Sequence, residues 1–321
     1  MMASVTKTDK EQRIGRMFDG VINIYKEKGF TSFDVVAKLR GILKQKKIGH
    51  TGTLDPDAEG VLVVCLGKAT KLCDVLTDKN KCYKATMQLG ITTDTEDSSG
   101  TVQSKSDVTV SEEQVREAIL SFVGEYDQIP PMYSAIKING KKLYELARQG
   151  KVIEREPRRV AVHEIQIESI DLPYVRFMVS CSKGTYIRSL CRDIGAKLGC
   201  GAIMEALVRT EVNAEESGAV FTLDKAMKLS DVEQAVEDGT ISSHILPIDQ
   251  MFPHLLHYTV TDAANSRLLN GNLLSRQDFA EDVSDPADGE QMLVYDKDGT
   301  FKAIYRYQQD NGVWKADKMF L

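Results

Sequence analysis

The sequence contains no long hydrophobic segment and no clustered cysteines. No apolar run approaches the roughly 18–20 residues that a membrane-spanning helix needs, and the N-terminus lacks the apolar centre of a secretory signal. Its six cysteines are scattered without a C-x-x-C pair, which favours free thiols in a reducing compartment. We therefore expect a cytoplasmic protein that makes no membrane contact. Its 321 residues suffice for one large domain or two unequal ones.

Motifs that hold cofactors are also missing from the sequence. There is no P-loop, no G-x-G-x-x-G fingerprint and no C-x-x-C pair. His254 and His257 have H-x-x-H spacing, but no third ligand candidate lies nearby in the sequence. We therefore expect a protein without a metal, a nucleotide or another cofactor.

The distribution of charge is more informative than the net charge of −6. Residues 26–47 carry seven basic and two acidic side chains, and residues 137–159 carry eight basic and three acidic ones. Residues 278–290 carry six acidic side chains and no basic one. Such runs are often solvated faces, but two basic segments in an acidic chain leave room for a surface that follows phosphates.

Turn and capping signals divide the chain into short strands and helices. Thr31 or Ser32 is placed to cap a first helix, and VLVVCL at 61–66 is typical of a buried strand. Ser111 with Gln114 forms a capping-box pattern. Alternating segments at 160–170 and 174–181 favour antiparallel pairing. The sequence predicts an α+β fold with a mixed, largely antiparallel sheet flanked by helices.

The composition changes near residue 250. The segment LPIDQMFPHL closes a large domain, and the remaining residues contain a short helical pattern and a hairpin with an Asp-Gly turn. We expect an N-terminal extension at 1–17, a large domain at 18–250 and a small β-rich domain at 251–321.

Residues 49–60, GHTGTLDPDAEG, concentrate glycine and carboxylate in one loop before the buried strand. A calcium loop of the EF-hand type would need glutamate at its twelfth position, where Leu66 stands. A phosphatase-type nucleophile would follow an apolar strand, which GHTGTL cannot form. The remaining possibilities are a structural Asx-turn and a single functional carboxylate on Asp55, in a loop stiffened by Pro56. The glycines would let the backbone approach a bulky ligand.

Four segments together resemble the bacterial tRNA pseudouridine synthase B family. They are GHTGTLDPDAEGVLVVCLGKATKL (49–72), KCYKATMQLGITTDTEDSSG (81–100), QIPPMYSAIKINGKKLYELARQG (128–150), and SCSKGTYIRSLCRDIGAKLGCGA with ALVRT (180–210). They occur in the family's order over roughly residues 18–250. The resemblance implies a pseudouridine synthase-like catalytic domain, a basic insertion at about 130–159 that clamps RNA, and a PUA-like domain at 251–321.

The resemblance also implies the roles of individual side chains. Asp55 is expected to be the nucleophile, Tyr83 the aromatic residue that stacks on the target base, and Arg188 the partner of Asp55. Leu207 is expected to line the pocket. The expected substrate-binding positions are His50, Lys26, Lys71 and Tyr186.

Three positions depart from the family pattern. Glu27 replaces a proline, and Asp57 and Glu59 replace an apolar residue and a small hydroxyl residue. Two additional acids close to Asp55 would oppose its ionisation unless they point to solvent.

The expected reaction converts a T-loop uridine of tRNA (tRNA position 55) to pseudouridine after the base flips out of its stack. Such an isomerisation requires no cofactor. A tRNA-binding protein or RNA chaperone without chemistry is the alternative from another class, and the same chemistry on another RNA is a second alternative. A monomer is expected.

Overall fold

The computed structural model describes residues 17–77, 80–138, 140–214, 219–284 and 286–321. The expected N-terminal extension lies outside these ranges except for Met17. The strands are β1 (Gly20–Lys26), β2 (Ile48–His50), β3 (Glu59–Leu66), β4 (Asn80–Leu89), β5 (Ile91–Thr93), β6 (Val102–Lys105), β7 (Gly124–Gln128), β8 (Lys137–Ile138), β9 (Lys141–Lys142), β10 (Arg158–Asp171), β11 (Tyr174–Cys181), β12 (Ala202–Ala214), β13 (Ala219–Thr222), β14 (His257–Thr259), β15 (Gln291–Tyr295), β16 (Phe301–Gln308) and β17 (Val313–Met319). The α-helices are α1 (Ser32–Ile42), α2 (Cys73–Thr77), α3 (Glu112–Leu120), α4 (Leu143–Ala147), α5 (Ile187–Leu198), α6 (Leu229–Glu237) and α7 (Asn265–Leu269).

A large mixed sheet forms the centre of the molecule. Its strand order is β1-β3-β12-β4-β11-β10-β7, with β2 added to β3 and β13 added to β12. Strands β3 and β12 are parallel over a short stretch, and the other pairs of this sheet are antiparallel. The predicted mixed, largely antiparallel sheet is confirmed.

The predicted capping signals form in the structure. The Thr31 side chain accepts a hydrogen bond from the backbone N–H of Asp34, so Thr31 caps α1 and Ser32 is its first residue. Ser111 and Gln114 form the capping box of α3. Gly199 ends α5 with φ 77°, a left-handed conformation that favours glycine.

Strand β3 divides its side chains between two hydrophobic clusters because successive residues of a strand point to opposite faces. Leu62, Val64 and Leu66 pack with α1 and α6, whereas Val61 and Val63 pack toward the C-terminal part of the chain. Helices α3 and α5 cover a third cluster on β4, β11 and β12. The sheet is therefore covered by different elements along its width.

The C-terminal strands form a separate sheet in the order β14-β15-β16-β17, with Trp314 and Tyr305 buried in its core. Leu293 and Phe320 of this module share a cluster with Val61 and Met251. The two parts of the chain therefore pack on each other around the segment near residue 250. In the described ranges, no helix is both long and apolar enough to span a membrane.

Candidate active site

The loop that contains Asp55 is held by the start of α1. The Ser32 hydroxyl accepts a hydrogen bond from the Leu54 N–H at 2.9 Å and donates to the Leu54 carbonyl at 3.3 Å. The Gly29 N–H donates to the Pro56 carbonyl at 2.9 Å. The backbone on both sides of Asp55 is therefore fixed to a neighbouring element.

Lys26 supports the same loop from the end of β1. Its side chain is buried, and its Nζ donates to the Pro56 carbonyl at 3.0 Å and to the Ala58 carbonyl. Burial lowers the pKa of Lys26 to about 8, against the opposing effect of Asp55 and other nearby carboxylates. The predicted substrate-binding Lys26 thus lies beside Asp55, with its hydrogen bonds directed to the loop backbone.

Arg188 forms a two-point ion pair with Asp55. Its Nε lies 3.0 Å from Asp55 Oδ2, and its Nη2 donates to Asp55 Oδ1 at 3.1 Å. The remaining donors are directed at backbone, with Nη1 3.0 Å from the Thr95 carbonyl and Nη2 2.8 Å from the Tyr133 carbonyl. The Arg188 side chain is 5% exposed and that of Asp55 is 38% exposed. The carboxylate is thus oriented by a buried guanidinium while it stays accessible from solvent.

The pKa of Asp55 is raised, chiefly because the surrounding protein partly desolvates its carboxyl group. The charges of Arg188 and Lys26 oppose this increase, and the like charge of Asp97 adds to it. Asp57, one of the two acids expected to oppose the ionisation of Asp55 unless they point to solvent, is exposed. The Glu59 carboxylate accepts a hydrogen bond from the Tyr25 hydroxyl at 3.0 Å.

A second ion pair fixes the loop that faces Arg188. Glu96 has φ 64°, which is uncommon for a residue with a side chain. Its carboxylate accepts hydrogen bonds from the Ser189 hydroxyl at 2.9 Å and from Arg192. This anchoring presents the Thr95 carbonyl and the Asp97 carboxylate, 3.8 Å from Arg188, to the site. The sequence analysis missed this loop, although TTDTEDSSG already showed three acids among turn residues.

Tyr83 and Leu207 lie together in the cluster that also contains Leu54. Burial raises the pKa of Tyr83 to about 12, with a contribution from the negative charge of Asp55. Tyr83 is 7% exposed, so an incoming base would meet only a small part of its ring unless neighbouring side chains move. Arg209, on β12, is paired with Tyr83 on β4, and its charge lowers the pKa of the Tyr83 hydroxyl. Sequence analysis missed Arg209, although a cation inside the strand pattern ALVRT was a signal.

Of the other predicted site residues, Tyr186 and His50 lie near the site and Lys71 does not. Tyr186 precedes α5 and lies close enough to Asp55 and Arg188 for their charges to act on its pKa, which burial raises. His50 is on β2, where burial and the charge of Arg209 lower its pKa. Lys71 follows β3 at the end opposite to the Asp55 loop, and its Nζ donates to the Met319 carbonyl at 2.6 Å. The structure therefore does not bring Lys71 together with Asp55.

Glycines of the Asp55 segment make room for protein rather than for a ligand. Gly60 has φ 104°, and a Cβ there would lie 2.2 Å from the Arg209 carbonyl oxygen. A Cβ on Gly49 would lie 3.0 Å from the Cys73 Sγ. The expectation that these two glycines admit a bulky ligand is therefore wrong, because adjacent protein atoms fill the space.

The basic segment at 130–159 borders the site through its first residues. The Tyr133 carbonyl accepts a hydrogen bond from Arg188 Nη2. Further along this segment, the Tyr144 ring packs against the cationic groups of Lys142 and Arg148. Within the described residues, no three His, Cys, Asp or Glu side chains are placed to hold a metal ion.

Comparisons with known families match residues 40–253 of the chain. Residues 40–187 match the family described as TruB family pseudouridylate synthase (N terminal domain). Residues 188–253 match the tRNA pseudouridylate synthase B C-terminal domain. A protein named tRNA pseudouridine synthase B from Lachnoclostridium phytofermentans is 53% identical over 94% of this chain and 100% of its own length. A protein of the same name from Bacillus pumilus is 42% identical over 90% of this chain and 93% of its own length.

Two solved structures resemble the whole fold. A chain from the structure described as a Cbf5-Nop10-Gar1 complex has a TM-score of 0.68 and 28% sequence identity, and the match covers 97% of this chain and 87% of that one. A chain from an H/ACA RNP bound to a substrate RNA containing 2'-deoxyuridine has a TM-score of 0.67 and 26% identity, with coverage of 97% and 87%.

Proposed function

Because the chain belongs to the TruB family of pseudouridylate synthases, we propose that it converts uridine to pseudouridine in the T-loop of tRNA. The relatives named tRNA pseudouridine synthase B support the reaction and the class of RNA. The single structural observation that carries the proposal is the accessible Asp55 carboxylate held at two points by Arg188. An ionised, oriented carboxylate is what nucleophilic attack on a nucleoside requires.

The proposed reaction breaks the N1–C1′ bond, turns the uracil and joins its C5 to C1′. The C5 hydrogen leaves as a proton and N1 gains one, so the electron count of the base does not change. Asp55 attacks either C1′ of the ribose or C6 of the uracil. Arg188 favours the ionised form of Asp55, which burial would otherwise disfavour. Its planar, permanently charged group suits this two-point contact better than a lysine would.

The base has to leave its stack before it can reach Asp55, which costs a few kcal/mol. We propose that Tyr83 stacks on the flipped base, worth about 1–3 kcal/mol, and that Leu207 walls the pocket. Leu54 lies in the same cluster and extends this apolar wall. His50 and Tyr186 would contact the nucleotide from the two sides of the site, whereas Lys26 would act on the loop that carries Asp55.

The exposed face of α1 supports a polyanionic partner. The Phe33 side chain is 65% exposed beside the Asp55 loop, and the Arg40 guanidinium lies 5.9 Å from its ring centre. Lys44, Lys46 and Lys47 continue this basic face. Together with the basic segment at 130–159, these residues would grip phosphates on either side of the target uridine.

The C-terminal sheet would add a further contact to the RNA as a PUA-like domain. Lys71 and Lys318 join this module to the large sheet through reciprocal hydrogen bonds, from Lys71 Nζ to the Met319 carbonyl and from Lys318 Nζ to the Lys71 carbonyl. We therefore place Lys71 in this junction. The proposal further holds that one copy of the chain acts alone, on the T-arm, in the cytoplasm.

The test is pseudouridine mapping of an unmodified tRNA transcript after incubation with the purified protein and no cofactor. The control transcript carries cytidine at the expected T-loop position. Conversion of the T-loop uridine in the first transcript and of no residue in the second is the expected result. Conversion at another uridine would refute the T-loop assignment. Tight binding without any conversion would refute the reaction and support an RNA chaperone.

A further inference from the structure

Arg209 is a buried cation beneath the site. It is 1% exposed, and its Nε donates to the Val61 carbonyl at 2.7 Å and its Nη2 to the Gly52 carbonyl at 3.1 Å. Gly52 and Val61 lie on either side of the loop that contains Asp55. The guanidinium therefore closes this loop at its base.

The partners of Arg209 are dipoles rather than charges. Among the described residues, no carboxylate lies within ion-pair distance of its guanidinium, whereas Arg188 faces both Asp55 and Asp97. A buried cation without a counter-charge is costly to desolvate. An apolar side chain of similar size would avoid this cost, so the charge itself requires an explanation.

The Tyr83 hydroxyl supplies that explanation. Tyr83 and Arg209 are directly paired across β4 and β12, so their side chains lie on the same face of the sheet. The charge of Arg209 lowers the pKa of the Tyr83 hydroxyl, against the larger effect of burial. Its charge also lowers the pKa of His50 and that of Lys26. The field of Arg209 thus reaches three of the predicted site residues.

A hydrogen bond between these two neighbouring groups could have one direction only. A guanidinium has donors and no acceptor, so the Tyr83 oxygen would accept from Arg209. The hydrogen of the Tyr83 hydroxyl would then point away from Arg209.

We infer that Arg209 is a positioning residue for the proposed reaction: it donates a hydrogen bond to the neighbouring Tyr83 hydroxyl, which fixes this hydroxyl as a donor toward the nucleotide, and it holds the Asp55 loop at a constant distance from Tyr83. Arg209 is too deeply buried to touch RNA, so it acts through Tyr83 and through the Gly52 and Val61 carbonyls. This inference rests on the proposed function.

A double-mutant cycle of Arg209→Met and Tyr83→Phe tests the inference. Tyr83→Phe keeps the ring and removes the hydroxyl. In single-turnover assays on tRNA, we expect Arg209→Met alone to slow conversion ~10–100-fold, with KM nearly unchanged, because it removes hydrogen bonds from a charged donor. In the Tyr83→Phe background the same substitution should have a clearly smaller effect, because the hydroxyl that it positions is absent.

Ser32→Ala is the matched control for the cycle. It loosens the Asp55 loop without touching Tyr83, so its effect should be the same in both backgrounds. Additive effects of Arg209→Met and Tyr83→Phe would overturn the inference and leave Arg209 as a structural anchor. If thermal unfolding shows that Arg209→Met is not folded, Arg209→Lys, which keeps the charge but not the two-carbonyl geometry, replaces it in the cycle.

The wild-type protein separates the two hypotheses. Absence of pseudouridine formation by the wild type would refute the proposed function. Conversion by the wild type with additive effects in the cycle would refute only the role of Arg209.

Discussion

Two buried guanidiniums border the candidate site and are held in different ways. Arg188, on α5, contacts the carboxylates of Asp55 and Asp97. Arg209, on β12, contacts two backbone carbonyls and is paired with Tyr83 across two strands. The same chemical group therefore has two functions. Arg188, on α5, controls the charge of Asp55. Arg209, on β12, controls the positions of the Asp55 loop and Tyr83.

The largest expected effect comes from a substitution that disturbs the close backbone contact between Gly60 and Arg209 on β12. Gly60→Ala would place a Cβ 2.2 Å from the Arg209 carbonyl oxygen at a positive φ. We expect it to reduce the free energy of unfolding by more than about 3 kcal/mol, since both the clash and the backbone conformation oppose it. The measurement is chemical denaturation.

Gly29→Ala is the control for this substitution. Gly29 also has a positive φ, 88°, but a Cβ there would meet no atom within 4 Å. The left-handed conformation alone should cost about 1–2 kcal/mol. Equal losses of unfolding free energy in Gly60→Ala and Gly29→Ala would show that the close approach of Gly60 to β12 does not contribute to stability.

Removal of the charge on the α5 side is expected to have the next largest effect. Arg188→Met should reduce kcat on tRNA by on the order of 100-fold or more, because Asp55 loses the cation that favours its ionised form. The acid limb of the rate profile should also move to higher pH, since burial and Asp97 would then act unopposed by Arg188. Arg209→Met should leave the acid limb in place. If the acid limb moved in Arg209→Met and not in Arg188→Met, Arg209 rather than Arg188 would control the ionisation of Asp55.

The charges of Asp55 and Arg209 both act on Lys26, because Asp55 raises its pKa and Arg209 lowers it. Its charge is present below its pKa of about 8 and is lost above it. We expect kcat/KM to decline as the pH rises through about 8, since the cation beside Asp55 disappears, and we expect Lys26→Met to lack this alkaline limb.

The effect of Lys26 on stability has the opposite sign. Its pKa in the folded protein is below the ordinary value of 10.5, so the unfolded chain binds more protons between about pH 8 and that value. The contribution of Lys26 to stability therefore increases with pH in this window. If activity and the wild-type stability advantage over Lys26→Met fell together above pH 8, the alkaline limb would reflect unfolding.

The smallest expected effect concerns the contact between Ser32 and the loop that contains Asp55. Ser32→Ala leaves the Leu54 N–H without its partner, and should reduce the free energy of unfolding by about 1–3 kcal/mol. Ser104→Ala removes an exposed hydroxyl that contacts Thr92, and should change it by less than about 0.5 kcal/mol. Equal values in chemical denaturation would mean that the loop does not depend on Ser32.

Local signals in the sequence predicted the caps and turns around the site better than the contacts between distant segments. The loop with Asp55, the caps at Thr31 and Ser111 and the end of α5 at Gly199 depend on residues a few positions apart. The contacts of Arg209 with Val61 and Gly52 span about 150 residues of sequence, so no local pattern contains them.

Proximity along the chain did not show which groups lie together in space. Asp57 and Glu59 stand next to Asp55 in the sequence, but a negative charge that raises the pKa of Asp55 comes from Asp97. Lys71 belongs to a segment that resembles the family beside the Asp55 loop, yet a strand of eight residues separates the two, and Lys71 is hydrogen-bonded to the Met319 carbonyl.

The most direct test of the account compares Asp55→Asn with Asp57→Asn in single-turnover conversion of a tRNA transcript. The two substitutions remove the same charge two residues apart, in a loop held by the same backbone contacts. The account predicts no detectable conversion by Asp55→Asn and a rate within about threefold of the wild type for Asp57→Asn, since only Asp55 is oriented by Arg188. Measurable turnover by Asp55→Asn, or an equal loss in both variants, would contradict it.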